Sequence, residues 1–298
     1  MCNHIGMAPT LTVTHFTDPG CPWAYSASPE LAVLQWRYGA QLEWRHVMIG
    51  LAESPQLYVD RGYTPTSVAT GYQAFRRYGM PFAPVPKARV AATSPACRAL
   101  VAVRLSAPER EWEALRALQF AQFTSTLLLD EPGELRTALA AVAGLDAEAI
   151  VGAIESPGVW KAYEADRAEA RTAEGGPTHV QGKSFDSDGK VRFTAPSLVL
   201  TAAGGASLEV GGFQPVEAYD VCIANLDRTL ERRAPADGPL EALAAFDIAL
   251  ATREIAAVMA KGMDPRDDES VERALITAAA EGRVSREAVG DGALWRLA

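Results

Sequence analysis

Apolar and polar positions alternate through "LTVTHF" (residues 11–16), the pattern of a strand with one face buried. Asp18, Pro19 and Gly20 then make a turn. Beyond it Leu31, Leu34, Trp36 and Tyr38 fall on one helical face and Gly39 stops the run, which predicts a helix over 22–39 with Pro22 in its first turn. β-Branched and aromatic residues return in "QLEWRHVMI" (41–49), a second strand. The chain opens as strand, turn, helix, strand.

From 65 to 175 the period becomes helical, broken by Pro and Gly into about five helices. Strand character resumes in "APSLVLTA" (195–202). A hairpin turning at Gly204 and Gly205 follows, then a helix over 215–232. "RRAPADGP" near 235 reads as a linker, and two helices with a hairpin-like tail at Gly290 and Gly292 have the outline of a small winged helix. The expected organisation is an α/β domain over 8–64 and 176–234, an inserted helical subdomain over 65–175, and a small α+β module over 235–298.

Composition narrows the function. Among 298 residues 48% are apolar, the net charge is −9, and no run of about 18 apolar residues occurs. That charge disfavours nucleic acid and anionic membrane surfaces as partners. The 235–298 module alone carries twelve acidic against seven basic residues, so it is read as a packing or dimerisation appendage ahead of a protein-binding module or a DNA reader, and a homodimer is left open. "MCNHIGMAPT" has neither the charged nor the apolar region of a secretory signal, which sets the expectation at a cytoplasmic protein without structural disulfides. Cys2, Cys21, Cys97 and Cys222 lie far apart and no two of the four histidines are four residues apart, so no metal site is predicted.

The candidate chemistry sits at "DPGCPWAY". A thiol at a helix N-terminus feels unpaired N–H groups and the positive end of the helix dipole, so Cys21 is expected to have a moderately lowered pKa, with no cation adjacent in sequence. The position where a Cys-x-x-Cys site would carry its second thiol is Ala24. "VTHFTDPGCPWAY", the helical insertion, "FTAPSLVL" and "VGGFQPVEAY" together resemble the DsbA-like branch of the thioredoxin superfamily. That branch includes FrnE-like proteins, 2-hydroxychromene-2-carboxylate isomerases and kappa-class glutathione transferases. The resemblance spans about 11–232 and implies a thioredoxin fold with Cys21 as catalytic nucleophile. It also implies a binding surface from Pro22, Trp23, Ala24, Thr194, Ala195 and Pro196, with Pro196 cis against the sulfur.

Ala24 departs from the dithiol pattern and cannot expel a mixed disulfide. Cys97 and Cys222 read as core residues and Cys2 as part of a tail, so dithiol oxidation is not expected. Three readings stay open. Cys21 adds reversibly to a conjugated C=C and so isomerises a small apolar molecule, with no cofactor required. Alternatively it forms a mixed disulfide that glutathione or another small thiol clears, with Arg76, Arg77, Lys87 or Arg89 binding that thiol's carboxylates. In the third reading catalysis is lost and the fold binds a partner. Tyr72, Phe75, Tyr78, Met80 and Phe82 are candidates to line an apolar pocket.

Overall fold

The computed structural model describes residues 10–298; Cys2 and the predicted domain start at residue 8 lie outside the described residues. β1 (Leu11–Thr17) leads into α1 (Pro22–Ser26), α2 (Ser28–Tyr38) and β2 (Leu42–Met48). The single helix expected over 22–39 is thus two. Pro29 has no N–H to donate to the Tyr25 carbonyl one turn back, and the Ser28 hydroxyl donates to that oxygen instead, at 2.8 Å.

After β2 comes α3 (Pro55–Asp60), and the insertion then carries α4 (Pro65–Phe75), α5 (Ser94–Ser106), α6 (Glu111–Thr124), α7 (Pro132–Leu139), α8 (Ala147–Ala153) and α9 (Pro157–Ala170), six helices where about five are expected. After the short α10 (Pro177–Val180) comes a hairpin absent from the sequence reading, β3 (Ser184–Ser187) and β4 (Lys190–Phe193). Asp188 and Gly189 form its tip, both with positive φ (58° and 73°), the conformation a tight two-residue hairpin turn demands. β5 (Ser197–Ala202), β6 (Ser207–Gly211) and α11 (Val216–Leu226) complete the α/β part. α11 stops short of the expected residue 232 because Asp227 turns extended and its carboxylate takes both the N–H and the hydroxyl of Thr229.

The four-stranded sheet has the order β2-β1-β5-β6, with β1 and β2 parallel and β5 antiparallel to both its neighbours. Central β1 pairs Val13 with Trp44 on one side and Leu200 on the other. This is the mixed sheet of a thioredoxin fold, and its central strand aims its C-terminal end at Cys21.

The C-terminal segment holds α12 (Pro239–Leu243), β7 (Leu250–Ala251), α13 (Thr252–Met259), α14 (Asp268–Ala280), β8 (Val284–Val289) and β9 (Gly292–Leu297), with sheet order β7-β9-β8. This is a winged-helix arrangement, with one short helix and one short strand beyond the elements expected from sequence. α13 packs on α2. One apolar core runs from Leu11, Leu34 and Leu200 through to Ile255, Leu275 and Trp295. The module therefore completes the main core rather than hanging from it.

Two polar ties join this module to the helical insertion. Arg116 of α6 and Glu254 of α13 form a bidentate pair at 2.5 and 2.8 Å, with Glu254 fully buried. Arg116 also donates to the Ala249 carbonyl, and Glu254 accepts the Ala251 N–H. At the hairpin tip, Gly290 has φ +54° and lies so close to Phe82 that a Cβ would stand 2.9 Å from its carbonyl carbon. Asp291 accepts the Phe82 N–H at 2.7 Å, donates its own N–H back at 3.1 Å, and pairs with Arg76. Asp291→Ala is expected to lower stability by about 1–2 kcal/mol, read from the urea midpoint at unchanged slope.

Candidate active site

Asp18 builds the loop that presents the sulfur. Its fully buried carboxylate accepts the Gly20 N–H (2.8 Å), the Leu51 N–H (2.8 Å), the Thr93 hydroxyl (2.9 Å) and the Cys97 thiol (3.4 Å). Burial raises the Asp18 pKa and those four donors pull it back down. They also tie the ends of β1 and β2 to the start of α5. Gly20 is required at its position, because a Cβ there would lie 2.5 Å from the Thr93 methyl. Cys21 follows as the residue capping α1, and its N–H donates to the Asp18 carbonyl at 3.0 Å.

The Cys21 thiol is 6% exposed and donates to the Ala195 carbonyl at 3.2 Å. Ala195–Pro196 is a cis peptide, and Thr194 is anchored by its hydroxyl to the Lys183 carbonyl. The sheet thus brings Cys21 together with Ala195 and Pro196 from 174 residues away. Pro22 takes the first position of α1 and Ala24 is buried in the apolar cluster of Cys21, Phe16, Ile49 and Phe193. Trp23 is 40% exposed. It meets Phe75, Tyr78 and Phe213 at centroid distances of 4.9, 5.5 and 6.0 Å, an aromatic surface beside the thiol. Of the residues expected to line a pocket, Tyr72, Met80 and Phe82 instead pack into a separate core with Tyr25 and Phe123, and Phe75 leans against that core while also meeting Trp23.

The electrostatics reverse one expectation. Burial pushes the Cys21 thiol up to about 12, and the Asp18 carboxylate adds to that. The Ala24 and Trp23 amides and the Arg192 guanidinium act the other way without winning. The helix-terminus effect read from the sequence is real in sign but smaller than the desolvation of the sulfur. A cation is also present after all, delivered by the hairpin absent from the sequence reading. Alkylation by iodoacetamide should therefore speed up about tenfold per pH unit from pH ~7 to ~10. A plateau setting in near pH ~8.5 would show an ordinary thiol instead.

Two phenols lie within electrostatic reach of the thiol. Tyr72 accepts from Gln122 at 3.0 Å and is pushed up to about 12 by burial, with the Cys21 charge acting in the same direction. Burial raises Tyr58 as well, and it feels both Asp18 and Cys21. Asp18 and Arg192 are residues around the thiol that the sequence does not single out. For Arg192 the available signal is the Asp188–Gly189 dipeptide between alternating residues.

Cys97 is fully buried and its thiol is engaged with Asp18, while Cys222 lies partly buried on α11. Of the cations proposed for a small thiol's carboxylates, Arg76 pairs with Asp291, and Arg89 with Asp130 and Glu131. Lys87 donates to the Leu127 carbonyl and Gln122. Arg77 donates to the Tyr78 hydroxyl. No helix among the described residues is long and apolar enough to cross a membrane.

Comparison with known proteins agrees with the fold. Solved structures with the same fold include a candidate protein disulfide isomerase from Nitrosomonas europaea (TM-score 0.54, 19% identity, covering 72% of this chain and 97% of that one). A candidate DsbA oxidoreductase from Streptomyces coelicolor aligns with TM-score 0.54 and 19% identity over 76% and 93% of the two chains. The cytosolic disulfide reductase DsbM from Pseudomonas aeruginosa aligns with TM-score 0.51 and 19% identity over 72% and 100%. No curated protein matches the chain. The model of the DSBA-like thioredoxin domain matches residues 12–195, the stretch from the central strand to the residue that accepts the Cys21 thiol, and the chain belongs to that family.

Proposed function

We propose that the protein is a one-cysteine thiol enzyme that isomerises a conjugated C=C in a small molecule by reversible addition of Cys21. The observation that carries this reading is the combination of a presented sulfur at Cys21 with a buried Ala24 where a dithiol enzyme needs its second thiol. Cys97 is held by Asp18 and Cys222 lies on a different helix, so neither is offered as a replacement. One chemistry open to a single sulfur without a second thiol is to bond to a substrate carbon and leave again. The thiol gives up its proton to water, an S–C bond forms at the β-carbon, and the π pair moves onto the carbonyl conjugated with it. The former double bond rotates, the pair returns, the S–C bond breaks, and the departing thiolate takes a proton back from water, with no net redox change.

The surroundings suit that sequence of events. Trp23, Phe75, Tyr78 and Phe213 offer flat apolar surface to a conjugated molecule. The neutral resting thiol resists stray oxidation until a bound substrate draws on it. The fold shared with DsbM keeps monothiol disulfide exchange, cleared by a small thiol, as the second reading.

Intact-mass spectrometry with an α,β-unsaturated thioester and, separately, an oxidised small disulfide tests both. A reversible adduct absent in Cys21→Ala, with released alkene isomerised, is the expected result. A mixed disulfide turned over by free thiol, with no alkene isomerised, would replace the isomerase reading by exchange.

A further inference from the structure

Four arginines are almost wholly buried: Arg37, Arg98, Arg116 and Arg192. Three have a carboxylate partner, in Asp220, Glu155 and Glu254 respectively. Arg192 has none among the described residues. Its guanidinium donates once, to the Phe193 carbonyl at 2.9 Å, and lies over the Phe185 ring at 4.9 Å. Its Nε is buried with no partner at all. A guanidinium stripped of water and left without an anion is costly, and proteins rarely keep one without a use.

Its position gives it one. Arg192 lies on β4, three residues ahead of the carbonyl that accepts the Cys21 thiol. The next residue, Phe193, stacks on Phe16 at 4.2 Å within the apolar cluster that holds Cys21. The sulfur and the guanidinium influence each other's ionisation, and Arg61 and Arg171 add positive charge to the same region. Arg171 is paired with Asp188, whereas Arg61 has no ion pair among the described residues. The acid that faces this group, Asp18, already has its oxygens engaged by four donors. The thiol is neutral at rest, so the cation has no resident anion.

We propose that Arg192 binds a carboxylate of the substrate, so that the molecule offered to Cys21 is a conjugated acid seated by its charge on β4 and by its π system on the Trp23 surface. This rests on the isomerase reading for the identity of the reacting bond, but the anion site stands on its own geometry. Pairing the carboxylate with a guanidinium also withdraws electron density from the conjugated system, which makes the β-carbon more open to sulfur.

The test separates binding from chemistry by using Cys21→Ala, in which no addition can occur. Calorimetry with trans-cinnamate and its neutral isostere trans-cinnamamide is expected to show the acid binding about tenfold more tightly, or better. In Cys21→Ala with Arg192→Gln that preference disappears through loss of acid affinity, and amide affinity stays as it was. Arg192→Lys keeps the charge without the fork and retains part of the preference. Equal affinity of acid and amide for Cys21→Ala overturns the proposal even if the position 192 variants do not fold. So does no binding of the acid at millimolar concentration. A Gln variant that shifts the pKa of Cys21 in the otherwise native protein yet binds the acid as before also overturns it, and makes Arg192 the thiolate's own counter-ion. Arg192-dependent acid binding alongside no isomerisation by the native enzyme would sink the isomerase reading and leave the carboxylate site intact.

Discussion

Exchange of Cys21 for serine is expected to lower turnover of a conjugated substrate by at least ~10³-fold while leaving the fold and its melting temperature nearly unchanged. A hydroxyl is far less acidic than a thiol, and the buried setting that already holds the thiol near 12 would hold an alcohol out of reach. A companion variant tests the meaning of Ala24. Positions 21 and 24 lie three residues apart at the start of α1, a separation that puts their Cα atoms within disulfide range. In Ala24→Cys the oxidised protein is expected to lose turnover entirely and the reduced protein to recover it. Turnover that survives a verified disulfide between Cys21 and the introduced thiol would remove Cys21 from the mechanism.

Glu254→Ala is expected to destabilise the protein by about 3–5 kcal/mol, a large part of the ~5–15 kcal/mol that holds a typical domain. The cost comes from Arg116, which stays buried with its charge uncompensated once the bidentate partner is gone. Replacing both partners with apolar residues, Arg116→Met with Glu254→Leu, is expected to restore most of the loss. Equilibrium denaturation of the two variants measures this. A single variant that loses under ~1 kcal/mol would mean that Arg116 finds water or another acceptor.

How much of this is legible from sequence varies with the range of the interaction. β1, β2 and β5 announce themselves through β-branched, aromatic and apolar residues in short runs, although β1 is buried on both faces where its alternation suggests one. Cys21, Pro22, Trp23 and Ala24 are contiguous, and Pro196 is reached through a family resemblance. Arg192 escapes because its hairpin is short and polar: β3 and β4 have four residues each, and Phe193 is their one buried apolar residue. The direction of the Cys21 shift escapes for a different reason. A helix terminus can be seen in a sequence, whereas the depth at which Phe16, Ile49 and Phe193 close over the sulfur cannot. The break in the first helix is legible, since Pro29 stands in the sequence, but apolar spacing running through it masks the signal.

The core shared between α2 and α13 has a consequence for how the protein is made. A nascent chain leaves the ribosome from its N-terminus, and the face of α2 that carries Leu31 and Leu34 emerges early. Its covering partners Ile255 and Val258 emerge more than 200 residues later, and β1, which can pair with β2 early, must wait for Leu198 and Leu200 to cover its other edge. Contacts of such long sequence separation close slowly. Through most of its synthesis the chain therefore carries an uncovered oily surface, the kind of surface that chaperones hold. Its thiol stays open to the surroundings until Phe193 and Ala195 have followed it out.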